Sequence, residues 1–150
     1  MAADGRLPST HNSFILSFKF LITSMTSIFG CSLTHSPASD SVHVEVREMT
    51  IPDDFPADKF DLILLSEVGY FLSKEDLIVA RDKMINALSP NGHLLLVHWT
   101  PFVEEFPLTG DEVHDTFLEA AGSDSAKPLV RLIGKTEEKY RLDLFEKKMV

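Results

Sequence analysis

The chain has 150 residues, of which 44% are hydrophobic and 25% are charged. This is the composition of one globular domain with a real core, and the length leaves no room for a second full domain. The 23 acidic residues outnumber the 14 basic ones and give a formal net charge of −9 at pH 7. Because binding to nucleic-acid phosphates depends on clustered Lys and Arg, this charge argues against a nucleic-acid partner.

Cysteine and histidine usage argues against a metal centre. The single cysteine, Cys31, allows neither an internal disulfide nor a cysteine-based zinc site, which fits a reducing compartment and predicts a cytoplasmic location. His93 and His98 are five residues apart on a predicted strand, where side chains at odd separation point to opposite faces. We therefore predict no metal site.

Residues 1–41 differ from the rest of the chain, because Ser and Thr are frequent and charges are few. Residues 14–33 are apolar but interrupted by Lys19, and the uninterrupted part is shorter than the roughly twenty residues of a membrane-spanning helix. No small-residue cleavage site of a signal peptide follows. We interpret residues 1–41 as an atypical segment that is either disordered or packed as a patch on the sheet, and residues 42–150 as the domain.

Two strands are predicted at the start of this domain. Alternation of Val42, Val44 and Val46 with polar residues predicts a strand over residues 42–49, which the following prolines end. Residues 60–66 form a near-continuous apolar run, typical of a central parallel strand buried on both faces. This second strand ends at the polar Ser66 and Glu67.

Capping patterns then mark two helices. Ser73 with Asp76 three residues later predicts a helix start, and the turn residues 90–92, Pro-Asn-Gly, predict its end before a strand over residues 93–99. Thr109 with Glu112 repeats the pattern, and Gly122 predicts the end of the second helix.

The last part of the chain contains two apolar runs, residues 129–134 and 140–145, joined by a polar segment, which predicts an antiparallel hairpin. Strands that alternate with helices in this way indicate an α/β fold whose sheet is mostly parallel and covered by helices.

Three motifs add a family resemblance. FDLILLSEVGYFL at 60–72 resembles the fourth strand and following turn of class I S-adenosylmethionine-dependent methyltransferases, and LSPNGHLLLVHW at 88–99 resembles their fifth strand, with Asn91 where a glycine is usual. PLTGDEVHDTF at 107–117 is similar to the nodulation protein S family. The resemblance, over residues 42–147, implies the C-terminal half of a Rossmann-like seven-stranded sheet with a terminal antiparallel hairpin.

The resemblance implies S-adenosylmethionine as cofactor and N-methylation of a small molecule, such as an amino sugar in oligosaccharide biosynthesis for nodulation. The sequence departs from the family pattern in one respect: no glycine-rich G-x-G-x-G turn precedes residue 42, where Gly5 and Gly30 are isolated glycines. It therefore reads as an N-terminally truncated relative. Three interpretations remain open: an active methyltransferase, an inactive remnant, and a membrane-attached interaction module made from the same fold. No oligomeric state is indicated, and a membrane partner is disfavoured.

Site residues follow from the same resemblance. Cofactor contacts are expected from two places, the loop after the strand at residues 42–49 and the end of the next strand: Met49, Thr50, Ile51, Ser66 and Glu67. Methyl transfer to an amine requires alignment and the loss of one proton, and His is the usual proton acceptor near neutral pH. The catalytic candidates on the acceptor side are Tyr70, His98 and His114. Tyr70 and Trp99 could either stack on a sugar ring or pack in the core.

Overall fold

The computed structural model describes residues 49–149. The segment 1–41 and the predicted strand 42–49 lie outside the described residues, apart from Met49, which belongs to no strand. The described elements are β1 (Phe60–Ser66), a short 3-10 helix (Gly69–Phe71), α1 (Lys74–Ala87), β2 (Leu88–Trp99), α2 (Gly110–Leu118), β3 (Leu129–Thr136) and β4 (Tyr140–Lys147).

The four described strands form one mixed sheet in the order β1-β2-β4-β3. β1 and β2 are parallel, whereas β4 runs antiparallel to both β2 and β3. The carboxyl ends of β1 and β2 therefore lie side by side, with Ser66 opposite Val97 and Trp99 opposite Tyr140.

β1 has the predicted bounds, but its burial differs from the prediction. Ile63 and Leu65 are buried, whereas Leu62 and Leu64 are only half-buried. The difference arises because both described helices pack on the same side of the sheet, as their mutual contact and their shared contacts with β2 show. We call this side the helix-covered face.

The opposite side, which we call the second face, carries six aliphatic side chains of intermediate exposure. They are Leu62, Leu64, Leu95, Val97, Leu142 and Leu144. Within residues 49–149 no helix covers this face.

α1 begins as predicted, because the Ser73 hydroxyl accepts a hydrogen bond from the amide of Asp76 at 3.1 Å. Its predicted end is wrong: α1 stops at Ala87, and residues 90–92 lie inside β2, which starts five residues earlier than predicted. Asn91 there adopts the left-handed conformation, with φ 60°, that Asn tolerates. A Cβ at Gly92 would lie 3.0 Å from the carbonyl oxygen of Phe60, so the irregular strand pairing needs glycine.

α2 begins with the predicted capping box between Thr109 and Glu112, in which each side chain accepts a hydrogen bond from the other residue's backbone amide. It ends at Leu118, so the predicted end at Gly122 is wrong. The amide of Ala121 donates to the carbonyl of Leu118, which tightens the last turn, and Ala121 then bridges to Leu129 of β3. Neither described helix has the length and apolar character needed to cross a membrane.

Candidate functional site

In open α/β sheets, ligands bind just beyond the carboxyl ends of the parallel strands. β1 and β2 are the parallel pair of the described sheet, and their carboxyl ends carry four of the eight predicted cofactor and catalytic residues: Ser66, Glu67, Tyr70 and His98. We call residues 66–70 together with residues 98–100 the carboxyl edge.

Glu67 is held at the centre of this edge by three hydrogen bonds. Its own amide donates to the carbonyl of Val97 at 3.0 Å, while its side-chain Oε1 accepts from the amide of Trp99 at 3.0 Å and Oε2 accepts from the Tyr70 hydroxyl at 2.6 Å. The residue has φ 58°, a left-handed conformation that costs a non-glycine residue about 1 to 2 kcal/mol. Glu67 is nevertheless exposed, so its carboxylate oxygens can accept further hydrogen bonds from a ligand.

Tyr70 is buried and acts as a donor. Its ring stacks on Phe106 with centroids 4.7 Å apart, and its backbone carbonyl accepts from the amide of Leu108 at 3.2 Å. Burial raises the pKa of the Tyr70 hydroxyl above its usual value, and the hydrogen bond to Glu67 raises it further. The phenol therefore keeps its proton near neutral pH.

His98 and His114 lie behind this turn and are fully buried. His98 Nε2 accepts from the amide of Gly69 at 3.2 Å, and His98 Nδ1 lies 3.1 Å from His114 Nε2. His114 Nδ1 lies 2.5 Å from Oδ2 of Asp143, which is also fully buried. The two rings therefore form a continuous polar chain from the turn after β1 to strand β4.

Two arginines complete the network around Asp143. Arg131 of β3 donates through Nε to Oδ1 at 2.5 Å, and Arg141 donates through Nε to Oδ2 at 3.0 Å. Arg141 also pairs with Asp111 and Asp115 of α2, each at 3.0 Å. Within the described residues, every buried side-chain nitrogen and oxygen has a hydrogen-bond partner.

Burial keeps both histidines neutral. Burial, together with the smaller effect of the neighbouring His114, lowers the pKa of His98 to about 3. Burial also lowers the pKa of His114, although the hydrogen bond to Asp143 acts in the opposite direction. Both ring nitrogens of each histidine are used within the network, so neither ring lines an exposed surface; the catalytic roles of His98, His114 and Tyr70 stay predictions.

The predicted cofactor residues divide into two groups. Ser66 and Glu67 are at the carboxyl edge, whereas Met49, Thr50 and Ile51 begin the loop before β1. This loop is fixed by α1, because Lys83 Nζ donates to the carbonyl of Pro52 at 2.7 Å. Ile51 is buried in the core, Met49 is half-buried and Thr50 is exposed.

Trp99 gives the carboxyl edge an aromatic surface. Its side chain is 41% exposed, and Lys139 Nζ lies 5.9 Å from the ring centroid. Tyr140, its partner across the strands, is 39% exposed. Of the two interpretations left open by the sequence, Trp99 thus has the exposure needed to contact a ligand, whereas Tyr70 packs in the core.

Sequence reasoning missed Asp143, Arg131 and Arg141. A signal for Asp143 was present, since in the alternating strand β4 it shares the face of the apolar Phe145, where a charged residue is unusual. The arginines gave no such signal, because exposed strand arginines are common.

Several solved structures that are similar to this chain are methyltransferases. A protein from Pseudomonas syringae assigned as a methyltransferase is 35% identical to this chain, with a TM-score of 0.50, and the match covers 65% of this chain and 53% of that one. The N-methyltransferase NodS from Bradyrhizobium japonicum WM9, in complex with S-adenosyl-L-homocysteine, is 24% identical with a TM-score of 0.54, covering 71% of this chain and 56% of NodS. An O-methyltransferase family protein from Burkholderia thailandensis is 13% identical with a TM-score of 0.53, covering 71% and 36%.

No protein-family model and no curated protein sequence matches this chain. The chain spans about half the length of the first two solved structures. The fold that it presents is therefore a part of the fold found in S-adenosylmethionine-dependent methyltransferases.

Proposed function

We propose that this chain is an S-adenosylmethionine-dependent methyltransferase that transfers a methyl group to the nitrogen of a small molecule such as an amino sugar. The observation that carries the proposal is the Glu67 carboxylate, fixed and exposed at the carboxyl edge of a methyltransferase-like sheet. In support, NodS contains the part of the fold that this chain presents and is solved with the demethylated product of this cofactor.

The residues at this edge suit such a cofactor chemically. A carboxylate accepts hydrogen bonds from hydroxyl and ammonium groups, both of which S-adenosylmethionine carries, and its two oxygens at Glu67 are already oriented. Ser66 adds a hydroxyl beside it. In the loop before β1, Thr50 offers an exposed hydroxyl and Met49 a partly exposed apolar surface, while Ile51 is buried in the core.

When bound, the cofactor supplies a methyl group on a positively charged sulfur, which an aligned amine can attack directly. The chain's own residues then need to orient the acceptor and receive one proton. Among Glu67, Tyr70, His98 and His114, only Glu67 is exposed, so Glu67 is the group of this set that can meet a ligand proton. The exposed face of Trp99 provides a surface on which a sugar ring can stack.

Calorimetric titration with S-adenosylmethionine and S-adenosylhomocysteine tests the cofactor. We expect saturable binding that weakens about tenfold or more in Glu67→Gln, since the amide carries no charge and replaces one acceptor oxygen by a donor. Glu146→Gln is the matched control, because Glu146 lies opposite His93, away from the carboxyl edge. Absence of binding, or equal weakening by both substitutions, would contradict the proposal.

Labelled methyl transfer tests the acceptor. The chain with labelled cofactor should modify small primary amines and amino sugars, whereas matched alcohols and carboxylates should stay unlabelled. Transfer to oxygen acceptors alone would leave a methyltransferase but remove N-methylation. Binding without transfer to any acceptor would favour an inactive relative.

A further inference from the structure

The turn that presents Glu67 is joined to strand β4 by an unbroken series of hydrogen bonds. The amide of Gly69 donates to His98 Nε2, His98 Nδ1 contacts His114 Nε2, and His114 Nδ1 contacts Asp143 Oδ2. All of these contacts are buried.

The Gly69 amide determines where the protons lie along this series of hydrogen bonds. A backbone amide can only donate, so His98 Nε2 must be unprotonated and the neutral ring carries its proton on Nδ1. That proton is donated to His114 Nε2, which leaves the His114 proton on Nδ1, where it is donated to Asp143. One arrangement of protons therefore satisfies every member, and adding a proton to either ring would set two donors against each other.

At the other end of this series, Asp143 is held in place by two arginines. The Asp143 carboxylate accepts from Arg131 and Arg141, and charge-assisted bonds of this kind are about twice as strong as neutral ones. Arg141 is itself fixed by Asp111 and Asp115, so the anchor joins α2 to the β3–β4 pair.

At the end of this hydrogen-bonded series that lies nearest Glu67, the turn is closely packed. A Cβ at Gly69 would lie 2.5 Å from Val113 Cγ1 of α2 and 3.2 Å from His98 Nε2, so the backbone packs directly on both. The next residue, Tyr70, contacts the His98 ring with centroids 5.6 Å apart and donates its hydroxyl to Glu67.

We propose that Asp143, His114 and His98 are positioning residues of the carboxyl edge: they fix Gly69, and through it the Tyr70 hydroxyl and the Glu67 carboxylate that meets the ligand. This inference rests on the proposed function for its ligand. A carboxylate that is held in place before binding loses less conformational freedom when the ligand arrives, which increases affinity.

Two substitutions at His98 separate positioning from simple packing. His98→Gln places an amide oxygen near the position of Nε2 and can still accept from Gly69, whereas His98→Phe fills the space without an acceptor. His93→Phe is the control, because His93 lies on the second face and is partly exposed.

The two readouts are hydrogen exchange of the Gly69 amide, followed by NMR, and the affinity for S-adenosylhomocysteine, followed by calorimetry. In His98→Phe we expect exchange to become faster and affinity to fall, each by about tenfold or more, because one buried hydrogen bond is lost. In His98→Gln and His93→Phe both quantities should stay within about threefold of the parent chain.

Parent affinity in His98→Phe despite faster Gly69 exchange would overturn the positioning role. If the parent chain does not bind S-adenosylhomocysteine, the proposed function fails. The role of the network in fixing Gly69 is then tested by hydrogen exchange alone, and unchanged Gly69 exchange in His98→Phe would overturn that role. Should His98→Phe not fold, Asp143→Asn provides the second variant, since it weakens the anchor at a distance from Glu67. Faster Gly69 exchange in that variant supports the proposal, and parent-like exchange contradicts it.

Discussion

The helix-covered face of the sheet buries Asp143 and His98 completely, whereas the second face leaves aliphatic side chains such as Leu95 and Leu144 half-buried. The polar residues are the more deeply buried because the helix-covered face offers each of them a partner: His114 of α2 for both, and Arg131 of the neighbouring strand β3 for Asp143. A residue's burial here follows from what covers it rather than from its own hydrophobicity, and polar groups are buried where they can be paired.

The largest expected effect compares two adjacent leucines of β2. Leu94 is fully buried on the helix-covered face, and Leu95 points to the second face. Leu94→Ala should lower the free energy of unfolding by about 3 to 5 kcal/mol, and Leu95→Ala by less than about half of that, because less surface and a smaller cavity are involved. Urea unfolding of the two variants measures the difference. Equal losses would show that the second face is as fully covered as the first.

The next effect concerns the buried carboxylate. Asp143→Asn should lower the free energy of unfolding by about 2 to 3 kcal/mol, because a neutral amide cannot satisfy Arg131, Arg141 and His114 together. The control is Asp115→Asn, which also weakens an Arg141 contact but at an exposed residue, and should cost at most about 1 kcal/mol. Similar costs in urea unfolding would mean that burial does not strengthen this network.

The pH dependence of stability should come in part from the two buried histidines. Because the pKa of both is lowered in the folded state, the unfolded chain binds more protons below its ordinary histidine pKa of 6.5. Stability should therefore fall as the pH drops from about 6.5 towards about 3, the folded value of His98.

Urea unfolding between pH 7.5 and 4 measures this dependence, and His98→Gln should make it shallower. The groups that face these rings are Tyr70 at His98, and Asp143, Arg141 and Asp111 at His114. Carboxylates such as Glu112, whose pKa is lowered by hydrogen bonds to Thr109, add a slope of the same sign. A slope that does not change in His98→Gln would contradict the assignment to His98.

The smallest expected effect concerns the irregular start of β2, where backbone conformation matters more than the packing of either face. Asn91 adopts a left-handed conformation, so Asn91→Ala should cost about 1 kcal/mol, while Asn91→Gly should be neutral or slightly stabilising. Thermal unfolding of the two variants checks the order. A stabilising alanine would contradict the left-handed conformation.

Local signals explain what the sequence predicted well. The bounds of β1 and the capping residues Ser73 and Thr109 were predicted because each depends on a few neighbouring residues. The ends of the helices were not, because tertiary pairing decides them: β2 takes over directly at Leu88, and Ala121 is drawn into a bridge with Leu129.

The candidate site shows the same division. Glu67 could be placed at a strand end from sequence, but its hydrogen bonds to Tyr70 and Trp99 depend on how β1 and β2 pair. Likewise His98 and His114 were singled out one by one. The contact between His114 and Asp143 joins residues 29 apart along the chain, so it could be recognised only from the structure.

The central claim, that the carboxyl edge binds the cofactor, is tested most directly by NMR titration of the labelled chain with S-adenosylhomocysteine. We predict saturable shifts of the amides of residues 66–70 and 98–100, with little change at the opposite end of the sheet around His93 and Glu146. Shifts confined to another surface, such as the groove lined by Arg81, Asn86 and Lys127, or no saturable shifts at all, would contradict it.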